Sequence, residues 1–257
     1  MTRPGFQKIA LGRKIVLGLA IAPLALGLAA CGKKAATDGS TSAPVSNVAP
    51  PAGKTWSDMV EKTPEGGFRI GNPEAPIKLV EYGALSCSHC AKFATDGFGK
   101  LRDTYVNSGR VSYEVRFFML NAYDFPATLL AMCSSTEATL PLAEQFWAWQ
   151  PNMFAKLQAA DKARLEAIQN MPKEQQLPAI AEVSGMTEFF ASRGISHDQA
   201  NACLHDTAKA KALADQTEAA TKDFNITGTP TFLINGNNVG SMEFAELEAK
   251  LQEAGAR

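Results

Sequence analysis

Histidine is scarce in this sequence, three in 257 residues, and no two stand at a metal-binding spacing. There are five cysteines, with one CxxC pair and no second pair. A structural zinc module ordinarily needs two such pairs, or one pair with matched histidines. Cys133, Cys203, His197 and His205 each stand alone, so no metal or other cofactor is expected. An excess of positive charge is also missing: 25 Lys and Arg against 26 Asp and Glu leave a net charge of −1. With no nucleic-acid-binding motif either, DNA and RNA are not expected partners. No apolar run reaches the roughly 20 uninterrupted residues of a comfortable membrane span, and no internal repeat is apparent.

What charge there is lies unevenly. The first thirty residues carry Arg3, Lys8, Arg13 and Lys14 and no acid, followed by an apolar stretch from Ile15 to Ala30 broken by glycines and Pro23. A basic flank, a short apolar core and small terminal residues describe an export signal over residues 1–30, with a single membrane anchor as the alternative. The stretch ends Leu28-Ala29-Ala30-Cys31, which resembles the bacterial lipobox. That resemblance implies cleavage before Cys31, lipidation of its sulfur and a stable membrane anchor, because several acyl chains hold where one does not. An ordinary soluble signal with an incidental Cys31 is the alternative. Gly32 rather than an aspartate follows, which favours the outer membrane over the inner one. Export would put the chain in the periplasm, where disulfides persist.

Residues 31–54 are rich in Ala, Ser, Thr, Pro and Gly, a composition that cannot bury a core and reads as a flexible tether. "TWSDMVEK" then reads as a short amphipathic helix, and "GGFRIGNPEAP" as turns. "IKLVEYG" is a short apolar run between Pro76 and Gly83 and predicts a buried strand. A helix follows, with Phe93, Phe98, Leu101 and Tyr105 at near-helical spacing, then a second strand, "VSYEVRFFML". From about 125 to 222 almost no strand pattern remains. That block predicts four or five helices broken near Pro141, Pro151, Pro172 and Gly194. "TPTFLING", an Asn235-Gly236 turn and "NNVGSM" return to strands, and a terminal helix spans about 244–254. Strands flanked by helices argue for an α/β fold with a central sheet.

The motif that carries chemistry is "SCSHCAKF", residues 86–93. It follows a buried strand and opens a helix, so Cys87 lies at the helix N-terminus. Free N–H groups and the positive end of the macrodipole favour a thiolate there. His89 adds positive charge or a hydrogen bond to that sulfur, and Cys90, one turn on, is more sheltered. One exposed nucleophilic thiol and one protected resolving thiol are what dithiol exchange requires. A metal-binding thiol pair and a structural bridge across two residues remain as alternatives.

Far downstream, Thr229-Pro230 stands ahead of the apolar strand in "GTPTFLING". Together, "APIKLVEYGALSCSHCAKF" and "GTPTFLING" resemble the DsbA-like branch of the thioredoxin superfamily, in the form with a helical domain inserted into the thioredoxin fold. The likeness runs over about residues 65–254. It implies a thioredoxin fold divided into 55–124 and 223–257, with an inserted helical domain at 125–222. It also implies periplasmic thiol–disulfide exchange, with Cys87 attacking, Cys90 resolving, His89 stabilising the thiolate and Pro230 the cis-proline beside them. Thr229 would pair with extended substrate through its backbone. Glu81, six residues before Cys87, matches a family acid that exchanges a proton with Cys90; the alternative is a solvated glutamate on a sheet edge. The expected partners are reduced or unfolded exported proteins and a membrane protein that reoxidises the pair.

Ser88 stands where proline is common in the best-known oxidase and Thr229 where valine is. The threonine is a feature of isomerase members, so a reductase or isomerase is the alternative to an oxidase. A non-enzymatic, metal-binding lipoprotein is the alternative outside the class. With Cys31 lipidated and Cys87 paired with Cys90, Cys133 and Cys203 are the two left. They suggest a structural disulfide closing a loop of about 70 residues, worth roughly 4 kcal/mol in the chain-entropy model; two separate buried thiols are the alternative. Phe117, Phe118, Phe146, Trp147 and Trp149 are expected mostly in the core.

Overall fold

A strand buried on both faces must have neighbours on both sides, and the "IKLVEYG" run does. It forms β3, Ile77–Gly83, lying parallel to β4, Val111–Phe117, and antiparallel to β5, Thr231–Ile234. The computed structural model describes residues 42–257. In it three more short strands complete the sheet: β1, Val60–Lys62, β2, Phe68–Ile70, and β6, Asn237–Gly240. The six strands run in the order β1-β2-β4-β3-β5-β6. β3 and β4 are parallel and consecutive, so a helical crossover must join them. It is built from α1, Ser88–Asp96, α2, Phe98–Lys100, and a π-helical turn, Leu101–Val106. Gly97 divides α1 from α2: a Cβ there would stand 2.6 Å from Phe244, at the start of the terminal helix, Phe244–Glu253.

Two short strands were not expected. In "TWSDMVEK" only Trp56–Asp58 is helical, as a 3₁₀ turn, and Val60–Lys62 continues as β1. "GGFRIG" contains β2, whose Phe68 and Ile70 are buried and whose Arg69 faces outward. Three residues are too few to show alternation above the surrounding glycines; pairing with β4 makes the strand.

Between β4 and β5 lie seven helices rather than four or five: α3, Asp124–Ala131; α4, Thr136–Ala159; α5, Lys162–Gln169; α6, Lys173–Val183; α7, Met186–Ala191; α8, His197–Leu204; and α9, Thr207–Phe224. Pro172 and Gly194 fall between helices, whereas Pro141 and Pro151 lie inside the 24-residue α4. A proline in a helix interior costs about 3 kcal/mol. Here Leu140, Ala143, Phe146, Trp147, Met153 and Leu157 are buried along α4, and each large apolar side chain contributes about 1.5–3 kcal/mol. The burial outweighs both prolines. These helices share one continuous apolar cluster with the sheet, from Leu79 and Phe232 to Phe190 and Leu204. They are an insertion in chain order, not a separately packed core.

Cys133 and Cys203 are bonded, with Cα atoms 5.9 Å apart, tying the end of α3 to α8. The export signal (1–30), Cys31 and the tether as far as residue 41 lie outside the described residues. From residue 42 the expected tether is held against the fold. Ser42, Val45 and Val48 donate backbone hydrogen bonds to the carbonyls of Glu253, Gly255 and Ser108, each 2.9 Å long. Trp56 Nε1 donates to the Val48 carbonyl at 2.7 Å. Gly109 makes room for that approach: a Cβ on it would lie 2.4 Å from the Val48 carbonyl oxygen. Among the described residues no helix is long and apolar enough to cross a membrane.

Candidate active site

The sheet ends its central strand at Gly83 and the chain turns through Ala84–Ser86 into α1. Cys87 is the N-cap residue of α1, so its sulfur faces the free N–H groups of the first turn, and the Cys90 N–H lies 3.4 Å from it. Cys87 and Cys90 are both unpaired thiols. Cys90 is wholly buried, and Cys87 retains 7% of its surface. The Thr229-Pro230 peptide, which is cis and leads into β5, the neighbour of β3, comes up against them. The Cys87 sulfur is 3.2 Å from the Thr229 carbonyl oxygen.

These contacts act on the two thiols in opposite senses. Cys87 is lowered to about 5, chiefly because the Cys90 thiol donates a hydrogen bond to its sulfur. Burial opposes this; the Thr229 side chain and the backbone N–H groups of Cys90 and His89 assist it. Among the described residues the buried Thr229 hydroxyl has no hydrogen-bond partner. Cys90 is pushed well up by its own burial, by the hydrogen bond it gives Cys87 and by the charge of Glu81. The asymmetry is thus a thiolate that keeps a sliver of surface, rather than the exposed thiol expected, beside a wholly buried thiol that holds its proton.

Glu81 lies on β3 between Val115 of β4 and Phe232 of β5 and is wholly buried. It is therefore not an edge residue. Burial raises its pKa to about 8, against a hydrogen bond donated by Tyr113, with the Cys87 charge adding to the rise. The Tyr113 hydroxyl donates to Oε2, and among the described residues Oε1 is buried without a hydrogen-bond partner. A carboxyl so placed keeps its proton at pH 7 and is near enough to Cys90 for its charge to act on that thiol.

A family model described as "Thioredoxin" matches residues 63–253, about three quarters of the chain. The chain belongs to the thioredoxin family. Among solved structures, a protein-disulfide isomerase from Novosphingobium aromaticivorans is 29% identical with a TM-score of 0.69, covering 73% of this chain and 96% of that one. Alpha-DsbA1 from Wolbachia pipientis, 20% identical with a TM-score of 0.59, shares the fold over 72% of this chain and 89% of that one. A Rickettsia bellii protein provisionally named a protein-disulfide oxidoreductase is 24% identical over 193 residues, 75% of this chain. The chain spans 66% of that relative's length and 62% of its Rickettsia conorii counterpart. The thioredoxin fold with inserted helices is the DsbA-like form.

In this thioredoxin-family site, Cys87, Cys90, Thr229, Pro230 and Glu81 are brought together. His89 is placed differently from its expected role. Its ring is exposed and, among the described residues, makes no hydrogen bond to the Cys87 sulfur; what the residue gives that sulfur is its backbone N–H. The ring instead lines a groove of about 250 Å³ with Phe93, Pro230, Met242, Glu243 and Glu246. Phe117, Phe118, Phe146 and Trp147 are core residues. Among the described residues no three metal-ligating side chains converge.

Three supports of the site were not read from the sequence. Trp147 Nε1 donates to the Ala84 carbonyl at 2.9 Å, and Gln150 Nε2 to the carbonyls of Leu85 at 2.7 Å and Cys87 at 3.1 Å. The buried Asp124 accepts from the Ser86 N–H and hydroxyl and from the N–H groups of Leu120 and Asn121. One signal was available: Gln150 is the one amide on a buried face of α4 that is otherwise apolar apart from Thr139, where an unpartnered amide would be costly.

Proposed function

We propose that this protein is a periplasmic thiol:disulfide oxidoreductase that forms disulfides in exported proteins, held at the membrane through a lipidated Cys31. The observation that carries the reading is the Cys87 thiolate, lowered to about 5 beside a buried Cys90. A stabilised thiolate makes the reduced enzyme the favoured product, so the oxidised pair gives up its disulfide readily. A substrate thiolate attacks the Cys87 sulfur of the Cys87–Cys90 bridge. Cys90 leaves and takes the proton of Glu81, giving a Cys87–substrate mixed disulfide. A second substrate thiolate attacks the substrate sulfur of that bond, and Cys87 leaves as the thiolate. Two substrate thiols have become a disulfide, and a membrane partner would reoxidise the enzyme.

Isomerase or reductase activity is the second reading. Thr229 before Pro230 and the 29% identity to a protein-disulfide isomerase favour it. Equilibration of the Cys87–Cys90 pair against glutathione separates the two. A potential nearer about −120 mV marks an oxidant, and one nearer about −270 mV a thioredoxin-like reductant. Cys87→Ala should abolish oxidation of a reduced model protein, and retained activity would remove the enzyme reading altogether.

A further inference from the structure

Glu81 is sealed from water, yet each exchange cycle draws a proton from it and must return one. Among the described residues its one hydrogen-bond donor from a protein oxygen or nitrogen is Tyr113. Beside Tyr113 lies a small cavity of about 10 Å³, lined also by Phe98, Val115, Leu140, Trp147 and Glu144. That is room for about one water-sized sphere. Every other lining side chain is apolar at this point apart from the Trp147 N–H, which is committed to Ala84. Tyr113 and Glu144 are therefore the polar groups available to a water there.

Glu144 stands on α4, in the helical insertion. It is partly buried, and among the described residues its carboxyl has no hydrogen-bond or ion-pair partner. Burial raises it to about 7, and the charge of Arg102 pulls weakly the other way. Arg102 is itself paired with Asp103. The Glu144 charge also acts on the Tyr113 hydroxyl, together with Glu81 and Cys90. The charged and titratable groups around the path are thus Cys87 and Cys90 from α1, Glu81 from β3, Tyr113 from β4, and Arg102 and Asp103 from the π-helical turn.

We propose that Glu144 is the solvent-side end of a proton path, Glu144–water–Tyr113–Glu81, which resupplies the proton that Cys90 takes. After Cys90 leaves the disulfide with the Glu81 proton, the Tyr113 hydroxyl passes its proton to the Glu81 carboxylate. Tyr113 takes one from the cavity water, the water takes one from Glu144, and Glu144 takes one from bulk solvent. The net transfer is one proton from solvent to Cys90, and reoxidation reverses it. Glu144 touches neither sulfur and acts only through Tyr113 and Glu81. The inference rests on the exchange reading above.

The test is the pH profile of reduction of the oxidised full-length protein by dithiothreitol, followed by rapid mixing. Glu144→Gln should slow reduction by about 10-fold or more between pH 7 and 8, where Glu81 has begun to lose its proton and Glu144 still holds a share of its own, with the Cys87 thiolate midpoint unmoved. Imidazole, a small acid of matching strength, should restore the rate of Glu144→Ala. Tyr113→Phe combined with Glu144→Gln should be no slower than Tyr113→Phe alone. A wild-type profile for Glu144→Gln, no rescue by imidazole, or multiplicative effects in the double variant would overturn the path. Loss of exchange in Cys87→Ala with an unaltered Glu144→Gln would sink the path and leave the exchange reading standing.

Discussion

The Cys87 sulfur lies 3.2 Å from the carbonyl oxygen of Thr229, a residue 142 positions further along the chain. A carbonyl oxygen accepts from a thiol but gives nothing to a thiolate. The stabilisation of the anion must come from the other groups around it: the Cys90 thiol first, then the Thr229 side chain and the first N–H groups of α1.

This order of causes gives a direct expectation. Replacing Cys90 with alanine removes the largest favourable contact while leaving the helix N-terminus intact. The Cys87 midpoint, about 5 in the wild-type protein, should then rise by roughly one unit or more. Thiolate absorbance in the ultraviolet, titrated on the reduced protein, measures it. An unchanged midpoint would transfer the stabilisation to Thr229 and the backbone.

The same thiolate makes stability depend on redox state and pH. The folded pKa of Cys87 is depressed from 9.0 to about 5, so its contribution is full above pH 9 and is lost as pH falls through 5. At pH 7 it is about 3 kcal/mol in the reduced form, and it is absent in the oxidised form, where Cys87 does not titrate. Glu81 acts in the opposite sense. Its folded pKa is raised from 4.5 to about 8, so its contribution is full below 4.5 and lost as pH rises through 8. Glu81 is present in both redox forms, so it largely cancels in their difference. Urea unfolding of both forms should therefore show the reduced protein gaining on the oxidised one between pH 5 and 8. A difference that shrinks over this range would refute the thiolate account.

The fold and the placement of the CSHC pair were legible because they rest on local signals. β3 is a short, mainly apolar run bounded by Pro76 and Gly83, β4 alternates apolar and polar residues, CSHC stands at a strand-to-helix junction, and Asn235-Gly236 forms the turn between β5 and β6 with both residues at positive φ. The supports were not legible, because each is a contact across the fold. Nothing near Tyr113 in sequence marks it as the donor to Glu81, 32 positions away. Trp147 and Gln150 reach the loop 84–87 only because α4 runs through two prolines without stopping. Proline read as a local breaker gave the wrong helix boundaries and so hid which residues α4 presents to the site.

Removing the Cys133–Cys203 bridge should affect stability and leave the chemistry alone. It closes a separation of 70 residues in the helical insertion, and neither cysteine contributes to the Cys87 shift. The Cys133→Ala, Cys203→Ala double variant should lose about 2–4 kcal/mol in urea unfolding, with the Cys87 midpoint unchanged. A shift in that midpoint would mean that the bridge positions the active-site helix as well.

Gln150 offers the sharpest test of how the insertion holds the site. Its amide donates to the Leu85 carbonyl at 2.7 Å and to the Cys87 carbonyl at 3.1 Å. The Cys87 carbonyl also accepts from the Ala91 N–H at 3.0 Å, so Gln150→Leu would leave Leu85 as the orphaned acceptor. A buried acceptor without a donor costs about 1–3 kcal/mol. This loss should be the same in the oxidised and reduced forms, because no redox-active atom is involved. The loop between β3 and α1 would also be freed at one of its anchors, so reduction by dithiothreitol should slow even where the protein remains folded. If Gln150→Leu unfolds at the wild-type urea concentration, the carbonyl is being satisfied by water, and Trp147 and Asp124 suffice to hold the loop.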